Sequence, residues 1–313
     1  MRTVFVWVVV CLIWSTVWLF IKLGLQDLPP ISFAGIRLVI AVTALLPVII
    51  VKRTPLPREA RDLVLIVVTG FLLLTLNYGL LYWGAQYISS GLTAVLQATT
   101  PVFGLALAHY YLPGERVTLL KTGAVGLGVL GVAVIFSNQL QIAGWLALSG
   151  CAAVVGGALC VAFAYVLVKA YGSHLHPTTL VTGQMLCGLI PLIIFGAMRE
   201  GNPLTFSWTF MAVVSLLYLA LFGSVIAFWL NYWLLKRMDA TKVLLMSVVE
   251  PLLAVLLGAL VLGETLSGRT LLGGVCILVS VSLVLARGSA GHGVADEEVS
   301  YEVGKRSHEL RDT

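Results

Sequence analysis

Long apolar runs, broken by short stretches of proline, glycine and polar residues, fill most of this chain. Ten such runs can be drawn, at about 4–23, 32–51, 63–83, 88–111, 118–136, 143–168, 178–198, 208–233, 241–262 and 268–286. Each approaches the roughly 20 apolar residues an α-helix needs to cross a hydrocarbon core. Lipid offers no partner to a backbone N–H or C=O, so each run must be helical. The breaks read as loops, for example Thr54-Pro55-Leu56-Pro57 and Ser137-Asn138-Gln139. The pattern predicts an all-α, polytopic membrane protein with ten transmembrane helices.

The pattern also repeats after about 150 residues. Tyr82-Trp83 recurs as Tyr232-Trp233, and Pro101 as Pro251. The stretch from Pro101 to Gly114-Glu115 recurs from Pro251 to Gly263-Glu264, one residue shorter. Lys22 and Pro30 recur as Lys169 and Pro177 at the same spacing. Five spans per copy is an odd number, so the second copy must lie inverted relative to the first, a plan common among secondary transporters. The expected division is a first five-helix repeat over 1–138, a second, inverted one over 139–286, and a polar tail over 287–313.

Composition strengthens the membrane assignment. The chain is 59% hydrophobic and 11% charged, where a soluble domain carries about 25% charged residues, and the mean hydropathy is +1.02. With the N-terminus in the cytoplasm, nearly all Lys and Arg fall on the cytoplasmic side. Only Lys22, Arg199 and Arg269 fall outside, and Arg37 lies within a span. That asymmetry obeys the positive-inside rule and supports the count of ten. Both termini are then cytoplasmic. The net charge of +5 sits at span ends, not in a patch suited to nucleic acid. The first run, rich in tryptophan, reads as a retained span and not as a signal peptide. The five cysteines lie inside apolar runs and read as buried thiols. The tail, with Asp296, Glu297 and Glu298, is too polar to build a core and reads as disordered.

Charges inside a membrane are costly and mark candidate sites. Glu250 is the only acid deep in a span, and it precedes Pro251, which removes a backbone donor. It is the candidate for proton coupling. The alternative is a structural or substrate-contacting carboxylate that pairs with Arg37 or Lys22, or caps freed backbone groups, and never titrates. Arg37, early in the second span, could meet a carboxylate-bearing substrate or tie neighbouring spans together. Lys22 reads as a side chain snorkelling to the outer interface.

Polar stripes come next. Ser90, Thr93, Gln97 and Thr100 recur at helical spacing on one face of the fourth span. Asn77, in the third span, and Ser224 and Asn231, in the eighth, should face inward, since a buried amide needs partners. Among aromatics, Trp14, Trp18, Tyr78 and Tyr165 lie near mid-span, and Tyr82 clusters with Tyr78. They could line a pocket for an apolar or aromatic solute or serve packing alone. The glycines from Gly123 to Gly131 lack the Lys and Ser/Thr of a phosphate loop and suit helix packing. His174 and His176 have no third ligand nearby in sequence. No hydrolase, nucleotide or metal motif appears, so an enzyme, a resident cofactor and a metal site are not expected.

These residues resemble a known family. Trp14-Ser15, Lys22, Leu28-Pro29-Pro30 and Arg37 are similar to the opening of EamA-type members of the drug/metabolite transporter superfamily. The endings Thr100-Pro101…Gly114-Glu115 and Glu250-Pro251…Gly263-Glu264 are similar to the close of its repeat. The resemblance covers about 5–286. It implies ten helices around a central cavity and export of small metabolites, amino acids or drugs across a bacterial inner membrane. Exporters of aromatic amino acids are among the similar members. The chain departs from the family where Ser15 replaces the usual glycine after tryptophan and where Gln184 stands at the position matching Arg37. The expected function is secondary active export of an amino acid or related amphipathic solute by alternating access. An uncoupled facilitator or a multidrug efflux protein is the alternative, ahead of a membrane scaffold or sensor. The partners expected are a small-molecule substrate and the lipid bilayer, with the chain a monomer or weak homodimer.

Overall fold

The structure is a computed structural model of the chain, and it describes residues 2–52, 57, 59–111, 119–142, 144–172, 174–235, 237 and 246–283. The helices are α1 Arg2–Gly24, α2 Pro30–Lys52, α3 Ala60–Ala85, α4 Ser90–Tyr111, α5 Leu119–Ile142, α6 Gly144–Tyr171, α7 Pro177–Glu200, α8 over 210–235, α9 Met246–Leu262 and α10 Gly268–Leu283. Seven are long and apolar enough to cross a membrane, and α5, α9 and α10 hold shorter apolar stretches. No strand occurs among the described residues. The all-α polytopic architecture is therefore as expected. Most of the Thr54–Pro57 loop, the Gly114-Glu115 motif and the 287–313 tail lie outside the described residues.

One loop is misplaced by the sequence pattern. Ser137, Asn138 and Gln139 are helical, because α5 runs on to Ile142. The chain turns at Gly144 instead, whose φ of 74° suits a residue without a Cβ. Polar residues are compatible with the end of a helix leaving the apolar layer, so their appearance alone did not mark the turn.

Packing pairs the two halves helix by helix. α3 lies against α6 as α1 lies against α8, and α4 against α6 as α9 against α1. The counterparts α2 and α7 pack on each other, as do α4 and α9. α5 meets α10 through glycines: a Cβ on Gly131 would come within 2.6 Å of the Gly273 carbonyl, and one on Gly273 within 2.7 Å of the Gly131 carbonyl. The largest core cluster joins α1, α2, α3, α7 and α8 around Phe33, Leu38, Tyr82 and Leu219.

Several helices are irregular. α3 widens to a π-helical segment over Phe71–Leu76, and α8 does so over Tyr218–Ile226. α4 breaks between Gln97 and Thr100, ahead of Pro101. α2, α7 and α9 contain Pro47, Pro191 and Pro251. Such interruptions free backbone groups in the middle of spans, a feature common at functional sites.

Candidate functional site

Arg37 of α2 is 4% exposed and Tyr82 of α3 is fully buried. The guanidinium donates from Nη1 to the Tyr82 hydroxyl at 2.8 Å and from Nε to Ser224 Oγ at 3.3 Å. Its charge also lies 5.1 Å from the centre of the Tyr78 ring, within cation–π range. A buried cation needs such partners, since desolvation is costly. Ser224 belongs to the π-helical segment of α8, where its hydroxyl also donates to the Leu219 carbonyl at 3.1 Å. Arg37 thus joins α2, α3 and α8 through hydroxyls and a ring face.

Glu250 pairs with neither Arg37 nor Lys22, the partners the sequence suggested. Its Oε1 accepts the indole N–H of Trp18 at 2.8 Å. This bond ties α1 to α9 just before Pro251. Lys22 does not snorkel outward; it turns in and donates to the carbonyl of Ala85, at the end of α3, and to those of Gln86 and Ile88 in the turn that follows. The reason is local: the last carbonyls of a helix lack intrahelical donors and carry partial negative charge.

Gln97 and Asn77 come together as the polar faces required, with Gln97 Nε2 donating to Asn77 Oδ1 at 3.1 Å. The Thr100 hydroxyl donates back to the Gln97 carbonyl at 2.8 Å, satisfying a group freed by the break in α4. Among the described residues, two buried acceptors, Gln97 Oε1 and Asn231 Oδ1, have no hydrogen-bond partner. In a membrane-spanning protein an unsatisfied amide oxygen is costly, so both are candidate contacts for a solute. Trp14 and Trp18 border the core around Tyr82, and Trp14 also reaches the cluster that holds Met246 of α9.

Two expected residues stand apart from this group. Tyr165 is 54% exposed on α6. Gln184 is buried, but its Nε2 donates to the Thr69 hydroxyl at 2.8 Å, tying α7 to α3. A contact absent from the sequence reading links Thr16 of α1 with the Tyr218 hydroxyl at 2.5 Å, and Tyr218 stacks on Phe20 with centroids 4.1 Å apart. No single-sequence signal pairs residues so far apart along the chain.

The sequence pattern of the EamA-like transporter family matches this chain twice, over 1–137 and 148–286. The chain belongs to the EamA-like transporter family. It is 30% identical to the uncharacterized transporter YoaV of Bacillus subtilis, covering 87% of this chain and 92% of that one. It is also 30% identical to the uncharacterized inner membrane transporter YedA of Escherichia coli K12, covering 82% and 81%. One solved crystal structure shares the fold, with a TM-score of 0.60 at 16% identity over 91% of this chain and 97% of the other. As an EamA-like protein, the chain is a multi-pass membrane transporter. The double match brackets the helix end at Ile142 and the glycine turn at Gly144.

Proposed function

We propose that this EamA-like protein is a secondary active transporter that exports an amino acid, aromatic ones included, or a related amphipathic solute. It works by alternating access between two inverted five-helix units, 1–138 and 139–286, in the cell inner membrane with both termini cytoplasmic. One observation carries the reading: ionisable Arg37 and Glu250 are held inside the spans by aromatic side chains, and among the described residues the buried amide oxygens of Gln97 and Asn231 have no partner. Intramembrane ionisable groups and unsatisfied acceptors together suit a solute with a charged, hydrogen-bonding head and an apolar body. In this reading Gln97 and Asn231 receive the donor head, and Trp14, Trp18, Tyr78 and Thr100 surround the rest. Arg37 with Tyr82 fixes the cavity wall, and Gln184 and Tyr165 act from outside it. No resident cofactor takes part.

Glu250 is the proton site of the cycle: protonation removes the negative charge that accepts the Trp18 N–H and loosens α1 from α9. A second reading, an uncoupled facilitator or exchanger, is favoured by the fact that Trp18 already satisfies Glu250 Oε1. Reconstitution in liposomes with radiolabelled amino acids, with and without an imposed pH gradient, separates the two. Gradient-driven flux of a labelled amino acid supports coupled export, whereas equal flux with and without the gradient supports the facilitator. Retention of every amino acid tested would sink the amino-acid reading.

A further inference from the structure

The short turn between α3 and α4 is held at both ends by opposite charges from α1 and from the α9–α10 connection. Lys22, near the end of α1, donates from Nζ to the carbonyls of Ala85 (2.8 Å), Gln86 (3.2 Å) and Ile88 (2.7 Å). Glu264 accepts from the Ser90 backbone N–H (2.8 Å), the Ser90 hydroxyl (2.7 Å) and the Gly91 N–H (3.4 Å). The final carbonyls of a helix carry partial negative charge and its first N–H groups partial positive charge. The ammonium therefore sits at the negative end of α3 and on the carbonyls of the turn that follows it, and the carboxylate on the positive end of α4.

The backbone is built to bring them there. Gly263 adopts φ 63°, after which the Glu264 N–H donates to the Gly258 carbonyl at 3.1 Å. Gly258 faces Ser90 Oγ and the Glu264 carboxylate, and a Cβ on Gly91 would lie 2.9 Å from Val255 Cα. At this end α4 and α9 are thus in backbone contact. The other half of α4, Thr100–Tyr111, packs chiefly on α6 and α5, and Gly104 within it has open space where a Cβ would be.

We propose that Lys22 and Glu264 are the outer latch of the transport cycle. They hold the α1–α9 pair against the α3–α4 turn and close the cavity on the outer side, and both must release before it opens outward. The latch rests on the alternating-access part of the proposed function, and its test needs no knowledge of the solute. It differs from a simple Lys–Glu ion pair in one checkable way. An ion pair tolerates exchange of its two charges, whereas the helix ends have fixed polarity. Exchange would set a carboxylate against carbonyls and an ammonium against N–H groups.

The test uses a chain whose five native cysteines are replaced and which carries Thr93→Cys. Thr93 is 1% exposed and lies on the α4 face between Ser90 and Gln97. Its labelling by a membrane-impermeant maleimide is timed in right-side-out and in inside-out vesicles, on protein that elutes as a single folded species after solubilisation. Removing either set of charge-assisted bonds, by Lys22→Met or Glu264→Gln, should raise the right-side-out rate about tenfold and leave the inside-out rate no faster. Lys22→Arg should stay close to the parent, and the exchange Lys22→Glu with Glu264→Lys should label at least as fast as either single variant. Unchanged labelling in both neutral variants, or restoration by the exchange, would overturn the latch. Faster labelling only in inside-out vesicles would overturn its assignment to the outer side. If the neutral variants do not fold, Ser89→Cys with Thr265→Cys is used with Lys22 and Glu264 intact. A short bifunctional thiol reagent should bridge most molecules at rest, and absence of bridging would overturn the closed latch. Failure of amino-acid flux, by contrast, bears on the solute alone.

Discussion

Trp18 donates its indole N–H to the Glu250 carboxylate at 2.8 Å, joining the first helix of one half to the fourth helix of the other across 232 residues of sequence. In the proposed function this contact is where a proton acts on α1 and α9. Removing the ionisable group should therefore remove the response to a proton gradient. Glu250→Gln is expected to leave solute exchange measurable while abolishing its acceleration by an imposed pH gradient, read by flux in proteoliposomes. Full gradient-driven flux in this variant would exclude Glu250 as the proton site.

Tyr82→Phe leaves the Arg37 Nη1 donor without its hydroxyl partner inside the bundle. An unsatisfied buried donor costs about 1–3 kcal/mol, and more when charged. Thermal unfolding in detergent should fall by several degrees, and Arg37→Lys should not restore it, because an ammonium cannot span Tyr82, Ser224 and the Tyr78 face together. A Tyr82→Phe protein as stable as the parent would show that the bond carries no weight.

Gln184 and Thr69 provide a contrast between holding helices and holding a solute. In a double-mutant cycle with Gln184→Ala and Thr69→Ala, the coupling energy for stability should be about 1 kcal/mol. Apparent affinity for a transported amino acid should be unchanged in all three variants. A large affinity change in Gln184→Ala with stability intact would return that residue to the solute site.

Gly131 and Gly273 face each other where α5 meets α10. Gly131→Leu must push the helices apart, and overpacking of this kind costs about 1–3 kcal/mol. Gly123→Leu, on the same helix with nothing within 4 Å of its would-be Cβ, should be tolerated. Comparable loss of folded protein in both, measured by size-exclusion yield, would argue against close packing at Gly131.

The sequence determines a good deal by itself. Ten apolar helices, the membrane as solvent and the duplication around Pro101 and Pro251 follow from local hydropathy and spacing. Lipid forces each run to satisfy its own backbone, and this needs no knowledge of neighbours. The inward polar faces of α3 and α4 were legible for the same reason, and Asn77 and Gln97 do meet.

Which polar groups become partners was decided only by tertiary structure. Arg37 finds Tyr82 and Ser224 instead of Glu250, Gln184 finds Thr69, and Lys22 turns back onto the end of α3. A cross-helix pair depends on the rotation and depth of each helix. The π-helical segments at Phe71–Leu76 and Tyr218–Ile226 insert extra backbone and change the phase of every side chain beyond them. Periodicity read along one strand of sequence carries no record of that shift, so it can say which faces are polar and not whom they meet.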